Sequence, residues 1–379
     1  MKSRKNTVIS VVVVALLVIM AACASQSVPG GSAPSEGKSS ESRSVAAETN
    51  SAPDTAGGDI EVGIVWRKFD DDFITGVRKA MEKELAIIGG ITLDQQDGKD
   101  DTSEMNNKLD VILAKGYKST IIMPFDVAGA DSLLQKCKDA DMPVVFFNTQ
   151  PSPEALNGYD KAYYVGQQSA QGGEIQAKQV IDYWNNNKEK ADKNGDGVFQ
   201  IVVLRGPIGH PIADAYTAVY TEEFDKSGLP YEIVKLDVAE WFKQPALEKT
   251  TAWITQLGIT GIEAIVANND GMALGAMQAV MNNGWNMGNP DEYIPIFGSD
   301  ATVEALEAMH NGTLQGTVFS DPGLQSRAML HVVKALAEGR EITTESLGLE
   351  DVYVEGKYVW CNYKEASMAN YQEILDSLR

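Results

Sequence analysis

The chain has few cysteines and few histidines, and it has no long apolar run after its first 20 residues. Its 379 residues include 3 cysteines and 3 histidines. Three thiols exclude a disulfide framework, and Cys137 and Cys361 lie far apart in unrelated patterns, so we interpret them as buried, unpaired thiols. A membrane-spanning helix needs roughly 20 apolar residues, and no later segment comes close to that length. The composition therefore excludes both a disulfide-rich scaffold and a polytopic membrane protein.

Basic residues are also scarce. The chain has 32 Lys and Arg against 53 Asp and Glu, which gives a formal net charge of −21 at pH 7. Such a surface repels nucleic acid and anionic lipid headgroups, and no basic DNA-reading module is present. Nucleic acid is thus excluded as a partner, and so is a DNA-binding repressor.

The first 22 residues have the pattern of an export signal. Basic residues at 2–5 precede an apolar run at 8–20, and the segment Met20-Ala21-Ala22-Cys23 resembles a bacterial lipobox. We predict that 1–22 is a lipoprotein signal peptide and that Cys23 carries a lipid anchor on the extracytoplasmic face of the membrane. The alternative is an ordinary signal peptide with a chance cysteine. Residues 23–58, rich in Ser, Gly, Pro and Ala, read as a flexible tether.

From residue 59 onward, strand-like apolar runs alternate with helical patterns. The first group has strands at 60–65, 117–123 and 143–147 with helices at 73–87, 104–114 and 128–139; the second has strands at 200–204, 231–236, 264–266 and 294–297. This alternation indicates right-handed βαβ units. We predict an α/β fold of two doubly wound parallel-sheet lobes joined by a multi-strand hinge, with the ligand crevice at the carboxyl ends of the strands.

We expect the chain to pass between the lobes three times, near 164–167, 320–322 and 355–357. The amino-terminal lobe would contain 59–167 and 320–355. The carboxy-terminal lobe would contain 168–319 and 356–379, with a final helix from Tyr363. Two lobes linked in this way can close around a ligand, which shifts the population toward the closed form.

Polar and aromatic residues follow several of these strands, at 68–73, 148, 209–210, 268–270 and 299–300. Carboxylates and amides hydrogen-bond neighbouring hydroxyls, while aromatic rings such as Phe73 and Trp241 cover the C–H face of a sugar. Each residue alone has a plainer interpretation, since Asx residues cap helices, His210 can be a structural group and Trp241 can be core. Their joint position at strand ends favours a site for a hydroxyl-rich ligand.

The loop at 192–200 has the ligand spacing of a calcium site. Oxygen-bearing side chains stand at positions one, three, five and nine, with glycine at six and a backbone carbonyl available at seven: Asp192, Asn194, Asp196, Gln200 and, through its carbonyl, Val198. Position twelve, Val203, is not acidic, so Glu263, just before a neighbouring strand, is the candidate for the missing carboxylate. A solvated Asx/Gly turn is the alternative.

Five blocks in order, at 68–73, 143–148, 159–166, 209–211 and 266–270, resemble the type I periplasmic sugar-binding proteins, in particular the members that bind D-galactose and D-glucose for bacterial ABC transport and chemotaxis. The resemblance implies a non-enzymatic protein with an ABC permease as its partner. It also implies the calcium loop completed by Glu263. The residues implied to hydrogen-bond or stack on the sugar are Asp71, Phe73, Asn148, His210, Trp241, Asn269 and Asp300.

Three positions depart from that family pattern. Ile212 and Tyr216 replace an aspartate and an arginine, and Ser320 replaces an asparagine. An unpaired buried polar group costs about 1–3 kcal/mol, so a hydroxyl facing Ile212 would be penalised. The alternative prediction is therefore a substituted hexose or glycoside, with Tyr216 stacking on the substituent.

Two further alternatives remain open. A secreted glycosidase would use a pair of carboxylates such as Asp71 and Asp300, one with a raised pKa. The other alternative is a sugar sensor that presents its closed form to a chemoreceptor or kinase instead of a permease. The nucleophile elbow, the zinc motifs and the dinucleotide-binding glycine loop are all absent, which argues against most other chemistries.

Overall fold

The computed structural model describes residues 59–379, so the predicted signal peptide, Cys23 and the tether lie outside the described residues. In this range the strands are β1 (Ile60–Trp66), β2 (Ile91–Asp97), β3 (Ser119–Ile122), β4 (Val144–Phe147), β5 (Ala162–Gly166), β6 (Phe199–Arg205), β7 (Tyr231–Val238), β8 (Ala264–Ala267), β9 (Ile296–Phe297), β10 (Thr317–Phe319), β11 (Val352–Glu355), β12 (Tyr358–Cys361) and β13 (Lys364–Ala366). The helices are α1 (Asp72–Ile88), α2 (Thr102–Lys115), α3 (Val127–Asp139), α4 (Pro153–Asn157), α5 (Ser169–Ala191), α6 (Pro211–Ser227), α7 (Lys243–Leu257), α8 (Asp270–Asn282), α9 (Val303–His310), α10 (Pro322–Glu338), α11 (Thr344–Leu347) and α12 (Tyr371–Leu378). None of these helices combines the length and the apolar character that crossing a membrane would require.

The amino-terminal lobe is built on a seven-stranded sheet in the order β11-β12-β5-β4-β3-β1-β2. Neighbouring strands run parallel, except for the antiparallel pair β11 and β12. Strands β3 and β4 are buried along their whole length, as expected of parallel strands covered by helices on both faces. The chain reverses its direction of winding at β1, between β2 and β3, and a ligand crevice forms at such a switch point.

The carboxy-terminal lobe repeats this arrangement with the parallel order β7-β6-β8-β9. Two further parallel bridges, Phe297 to Gly316 and Asp300 to Phe319, bring β10 alongside β9, and β13 pairs antiparallel with β10. Here the switch point is β6, which lies between β7 and β8. The predicted α/β fold of two parallel-sheet lobes is confirmed.

The third crossing between the lobes lies later than the sequence suggested. Strand β12 pairs with β5 in the amino-terminal sheet, so 355–357 is the turn of the β11–β12 hairpin, in which Gly356 has a φ of 60°. The chain returns to the carboxy-terminal lobe only after Cys361. The predicted boundary at 356 and the predicted helix start at Tyr363 are therefore wrong. The final helix begins at Tyr371 and packs against α9.

Candidate ligand-binding cleft

A cavity of about 260 Å³ lies between the two lobes, at the carboxyl ends of the sheet strands. The seven residues predicted to contact a sugar all line it, and so do the three that depart from the family pattern: Asp71, Phe73, Asn148, His210, Trp241, Asn269, Asp300, Ile212, Tyr216 and Ser320. The structure thus brings together residues that are as far as 249 positions apart in the chain, from Asp71 to Ser320. Their contacts with a ligand remain a prediction.

Two of these polar residues also cap helices. An Asp71 carboxylate oxygen accepts a hydrogen bond from the Ile74 amide at 3.0 Å, at the start of α1. The Asn269 side-chain oxygen accepts from the Met272 amide at 3.0 Å, at the start of α8. The cap fixes each side chain at the wall of the cavity. Asp71 keeps its second carboxylate oxygen for other partners, and the Asn269 amide nitrogen, which donates one hydrogen to the Trp241 carbonyl, keeps the other. Helix capping is thus confirmed at both positions, and ligand binding there stays a prediction.

Asp300 does not cap a helix, because Thr302 caps α9. Its backbone has a φ of 124°, which is unusual for a non-glycine residue and is typical of strain kept at functional sites. No other side chain among residues 59–379 donates a hydrogen bond to its carboxylate. Burial raises its pKa well above the ordinary value, and the nearby carboxylates of Asp270 and Asp71 raise it further. Asp300 is thus a buried acceptor that lacks a side-chain donor.

His210 is held neutral at the cavity wall. Burial lowers its pKa to about 4, and the positive charge of Arg67 adds to the effect. A neutral imidazole offers one donor and one acceptor. Its Nδ1 atom is buried without a hydrogen-bond partner in the described part of the chain. Since buried polar atoms are normally paired, this nitrogen is available for a hydrogen bond with a polar ligand.

The aromatic residues Phe73 and Trp241 lie in opposite lobes. Phe73 stacks on Phe147 with ring centroids 6.3 Å apart and 14° between the planes. Trp241 has a φ of 70°, and its ring meets His210 edge-on at a centroid distance of 5.2 Å. The Asn269 side-chain amide donates to the Trp241 carbonyl at 3.2 Å, which helps to hold this conformation.

Gly206 provides the space for the Trp241 ring. A Cβ atom at Gly206 would overlap the indole. We therefore expect Gly206→Ala to displace Trp241 and to weaken ligand binding about tenfold or more, although residue 206 contributes no side chain. Calorimetric titration with a free hexose measures the loss, and Gly76→Ala, outside the wall of this cavity and where a Cβ atom meets nothing within 4 Å, is the matched control. Unchanged affinity in Gly206→Ala would show that the indole does not contact the ligand.

The wall formed by Ile212 and Tyr216 is closed. Only 1% of Tyr216 is exposed, and its ring packs in the core of the carboxy-terminal lobe. Its hydroxyl lies 2.9 Å from Ser299 Oγ, and its ring meets Tyr363 edge-on at 6.4 Å. The prediction that Tyr216 stacks on a ligand substituent is therefore wrong, because both its ring and its hydroxyl already have protein partners.

Ser320 is part of the hinge. Its hydroxyl donates to Gln167 Oε1 at 2.5 Å and accepts from Gln325 Nε2 at 3.0 Å. These bonds join the first and second crossings, at 167 and 320. A role in positioning the hinge therefore accompanies its place in the cavity wall.

Several cavity residues were not predicted from the sequence. Tyr363 enters from the third crossing, and Arg67 follows β1 directly. The Arg67 guanidinium pairs with Asp100 and lies 4.9 Å from the centre of the Phe125 ring. The only signal for Arg67 in the sequence is its position directly after an apolar strand. A basic residue at such a position is usually a solvent-exposed charge, so this signal did not single it out.

The loop at 192–200 folds around the carboxylate of Glu263, which has no exposed surface. Pairing of β6 with β8 places Glu263 beside the loop, where its oxygens accept from the amides of Lys193 at 2.5 Å and Gln200 at 3.1 Å. Asp192 accepts from the Gly195 amide at 2.8 Å and from the Gly197 amide at 2.9 Å. Burial raises the pKa of Glu263.

This loop has the oxygen atoms that a hard cation such as calcium would need, but its acidic side chains do not converge on a single position. Nowhere in 59–379 do three or more acidic, histidine or cysteine side chains converge as metal ligands. The predicted set, however, includes amide and carbonyl oxygens, and Gln200 Oε1 is buried and accepts no hydrogen bond from the described part of the chain. Within residues 59–379 the buried Glu263 carboxylate forms no ion pair and accepts from backbone amides. Such a carboxylate, with an unpaired oxygen beside it, fits a calcium ion.

The fold and the cleft define a class of protein, and comparison with known sequences agrees with it. Residues 62–341 match the family described as periplasmic binding protein domain. The chain belongs to the periplasmic binding proteins.

Among curated relatives, the D-galactose/methyl-galactoside binding periplasmic protein of Haemophilus influenzae is 36% identical over 293 residues, which cover 77% of this chain and 86% of that protein. A putative rhizopine-binding protein of Rhizobium meliloti is 27% identical over 289 residues, with coverage of 74% and 85%. A solved ABC transporter solute-binding protein of Bacillus halodurans, with bound myo-inositol, superposes with a TM-score of 0.69 at 24% identity and covers 85% of this chain and 99% of that one. This last similarity concerns the fold alone.

Proposed function

We propose that the chain is the sugar-binding component of an ABC importer and that it binds a galactose- or glucose-like pyranose in the cleft between its lobes. One observation carries the proposal: acceptors, amides, a neutral histidine and two aromatic rings, drawn from both lobes, line one cavity of about 260 Å³. The name of the Haemophilus influenzae relative, which specifies galactose and methyl-galactoside, supports this choice of sugar.

The polar groups suit a ring with several neighbouring hydroxyls. Asp71 and Asp300 supply acceptors, Asn148 and Asn269 supply both donors and acceptors, and neutral His210 supplies one of each. Phe73 and Trp241 provide apolar surface from opposite lobes for the C–H faces of the ring. A ligand that binds residues of both lobes stabilises the closed form by its differential affinity for that form.

One contact already joins the two lobes beside the cleft. The Lys68 ammonium of the amino-terminal lobe lies 4.3 Å from the centre of the Phe242 ring in the other lobe. Asp100 holds Lys68 from behind at 3.8 Å and also pairs with Arg67. The hinge motion that we propose would make and break this cation–π contact.

A calorimetric panel tests the choice of sugar. The full chain is titrated with D-galactose, D-glucose, their methyl glycosides, myo-inositol and D-allose. We expect saturable binding of at least one hexose of the galactose or glucose type. Binding of myo-inositol or D-allose in preference to every hexose and glycoside of that type would contradict the proposed specificity.

A substituted hexose or glycoside is the alternative ligand, because Ile212 and Tyr216 leave one wall of the cavity without free hydrogen-bonding groups. The same calorimetric panel separates the two ligands, since methyl glycosides would then bind more tightly than free hexoses.

Hydrolysis is the remaining chemical alternative, because Asp71 and Asp300 share the cavity and the pKa of Asp300 is raised. Periplasmic binding proteins bind and release solutes, so we expect no turnover of aryl galactosides or aryl glucosides. Release of nitrophenol that disappears in Asp300→Asn would contradict the binding function.

We further propose that the protein is exported, is anchored through a lipid on Cys23 and delivers its ligand to an ABC permease. A chemoreceptor or kinase is the alternative partner. The lipobox pattern supports the anchor. Labelling cells with a tritiated fatty acid should mark the wild-type chain but not Cys23→Ala; equal labelling of both would exclude this anchor.

We also propose that the loop at 192–200 binds a structural calcium ion. Asp192, Asn194, Asp196 and Gln200 would supply side-chain oxygens, Val198 its carbonyl, and Glu263 the distant carboxylate. The ion would supply the positive charge that the buried Glu263 lacks.

A further inference from the structure

A second cavity, also of about 260 Å³, adjoins the ligand-binding cleft. The two cavities share five wall residues: Asp72, Phe73, Asp300, Thr302 and Ser320. Two of these, Phe73 and Asp300, are predicted sugar contacts. The shared wall residues make the two cavities direct neighbours, so a group attached to a bound pyranose has to pass only these side chains to extend into the second.

Small residues on α1 keep the second cavity open. Gly76 and Ala80 lie one turn apart on the side of the helix that lines it. A Cβ atom at Gly76 would meet nothing within 4 Å. Val303, which is 37% exposed, lines the same cavity from the carboxy-terminal lobe. The lobes therefore leave a groove here where larger side chains would have filled the space.

Two lysines stand at the outer end of this groove. Lys79 and Lys83 both line the cavity and are both exposed. Neither takes part in an ion pair among residues 59–379; Glu304, in the opposite wall, pairs with Lys243 at 2.5 Å. Like charges at this i, i+4 spacing do not stabilise a helix. Three carboxylates also line the cavity, but Glu304 is paired with Lys243, and Asp72 and Asp300 lie at the junction with the ligand-binding cleft. Lys79 and Lys83 therefore make the outer end of the cavity locally positive in a chain with a net charge of −21.

The helix geometry sets the distance between this positive site and the pyranose pocket. Asp72, at the junction of the cavities, precedes Lys79 by seven residues, which is about 10 Å along the axis of α1. The acidic residues at the junction are thus separated from the lysine backbone by about the combined length of a second sugar ring and an extended lysine side chain.

We propose that the second cavity is a subsite for an acidic group, such as a carboxylate or a phosphate, carried on a substituent of the sugar about one hexose unit long. Lys79 and Lys83 bind the anion, and the groove over Gly76 and Ala80 holds the connecting atoms. This inference rests on the proposed sugar-binding function and specifies the class of its substrate as an acidic glycoside.

Matched pairs of disaccharides and their aldonic acids test the subsite. The pairs are lactose with lactobionate, melibiose with melibionate, maltose with maltobionate, and cellobiose with cellobionate, titrated against the full chain by calorimetry alongside D-galactose and D-glucose. We expect at least one aldonic acid to bind about tenfold more tightly than its neutral partner and than the free hexose. This preference should decrease with added salt, because exposed charges are screened.

Two variants test separately the charges of the two lysines and the free volume of the groove. Lys79→Gln with Lys83→Gln should remove the preference for the acid and leave the affinity for free hexose unchanged. Gly76→Leu should fill the groove, remove the gain for every extended ligand and again spare the hexose; leucine is also the better helix former at this position. Lys118→Gln, on an exposed lysine of the amino-terminal lobe outside both cavities, is the control.

Two results would overturn the proposal while leaving sugar binding intact. One is hexose binding without a gain for any acid, and the other is a gain that persists in both cavity variants. Failure of all hexoses and all disaccharides to bind would instead contradict the proposed function itself. The two failures are thus distinguishable in one set of titrations.

Discussion

Replacing Asp300 with asparagine is expected to weaken hexose binding about 30-fold while making the ligand-free protein more stable. Leaving a buried hydrogen-bonding group without its partner costs about 1–3 kcal/mol, and the amide removes one acceptor oxygen from the cavity, which leaves a sugar hydroxyl unpaired. Asparagine tolerates positive φ better than most residues, so the backbone at φ 124° is preserved. The affinity is measured by calorimetry and the stability by thermal unfolding.

The gain in stability follows from the raised pKa. Burial favours the protonated form of Asp300, so the carboxyl stabilises the fold most below its ordinary pKa of 3.8, and this contribution is lost as the pH rises through the folded-state pKa. Buried Asp270, with its pKa raised to about 7, acts in the same direction. His210 acts oppositely, because its stabilising contribution is complete above pH 6.5 and is lost as the pH falls toward 4.

The melting temperature of the ligand-free wild type should therefore decrease as the pH rises above 6.5, where the contribution of His210 is already complete, and Asp300→Asn should reduce this slope. Asp160→Asn, on an exposed aspartate of the amino-terminal lobe, should leave both the slope and the sugar affinity unchanged. An Asp300→Asn protein that binds hexose like the wild type would exclude Asp300 from the binding site.

Removing calcium should lower the melting temperature by about 5 °C or more. A ligand that binds only the native state stabilises it by about 2.7 kcal/mol at a hundredfold excess over its dissociation constant. For a protein of this size, one kcal/mol corresponds to about 2–4 °C. Without the ion, the buried carboxylate of Glu263 keeps, among the residues from 59 onward, only backbone amides as partners, and Gln200 Oε1 has no partner there. Thermal unfolding with excess calcium and with a chelator measures the difference.

Glu263→Gln is the matched variant for this experiment. It keeps the shape of the side chain but removes the bidentate carboxylate, so we expect little or no response to calcium. Magnesium should substitute poorly, because it prefers a smaller octahedral set of ligands. If chelator and calcium give the same melting temperature in the wild type, the loop is a solvated turn.

The strands that the sequence predicted well are those buried on both faces. The runs at 143–147 and 200–204 are continuous apolar segments and became β4 and β6 with shifts of one residue. Edge strand β2 was missed because its sequence, Ile91 to Asp97, is mostly polar. The β11–β12 hairpin was misread as a crossing because β12 joins the sheet through β5, a contact almost 200 residues away in sequence.

The cleft was predictable to the extent that its residues follow apolar strands. Three of them follow β4, β8 and β9 within three residues: Asn148, Asn269 and Asp300. The rule that ligands bind at the carboxyl ends of parallel strands therefore identifies them. Tyr363 and the groove on α1 were not predictable in this way. Tyr363 follows β12, a strand that was not predicted, and Gly76 lies in the middle of α1. Both residues reach the cavities only because the tertiary fold brings the two lobes together.

Calorimetric titration of the full chain with D-galactose and D-glucose, repeated on Gly206→Ala, tests most directly whether the cleft binds a sugar. We expect saturable binding at one site per chain for at least one hexose, with affinity lost when the added methyl group displaces Trp241. Absence of heat and of any rise in melting temperature with every hexose and glycoside, or equal binding by the wild type and the variant, would contradict it.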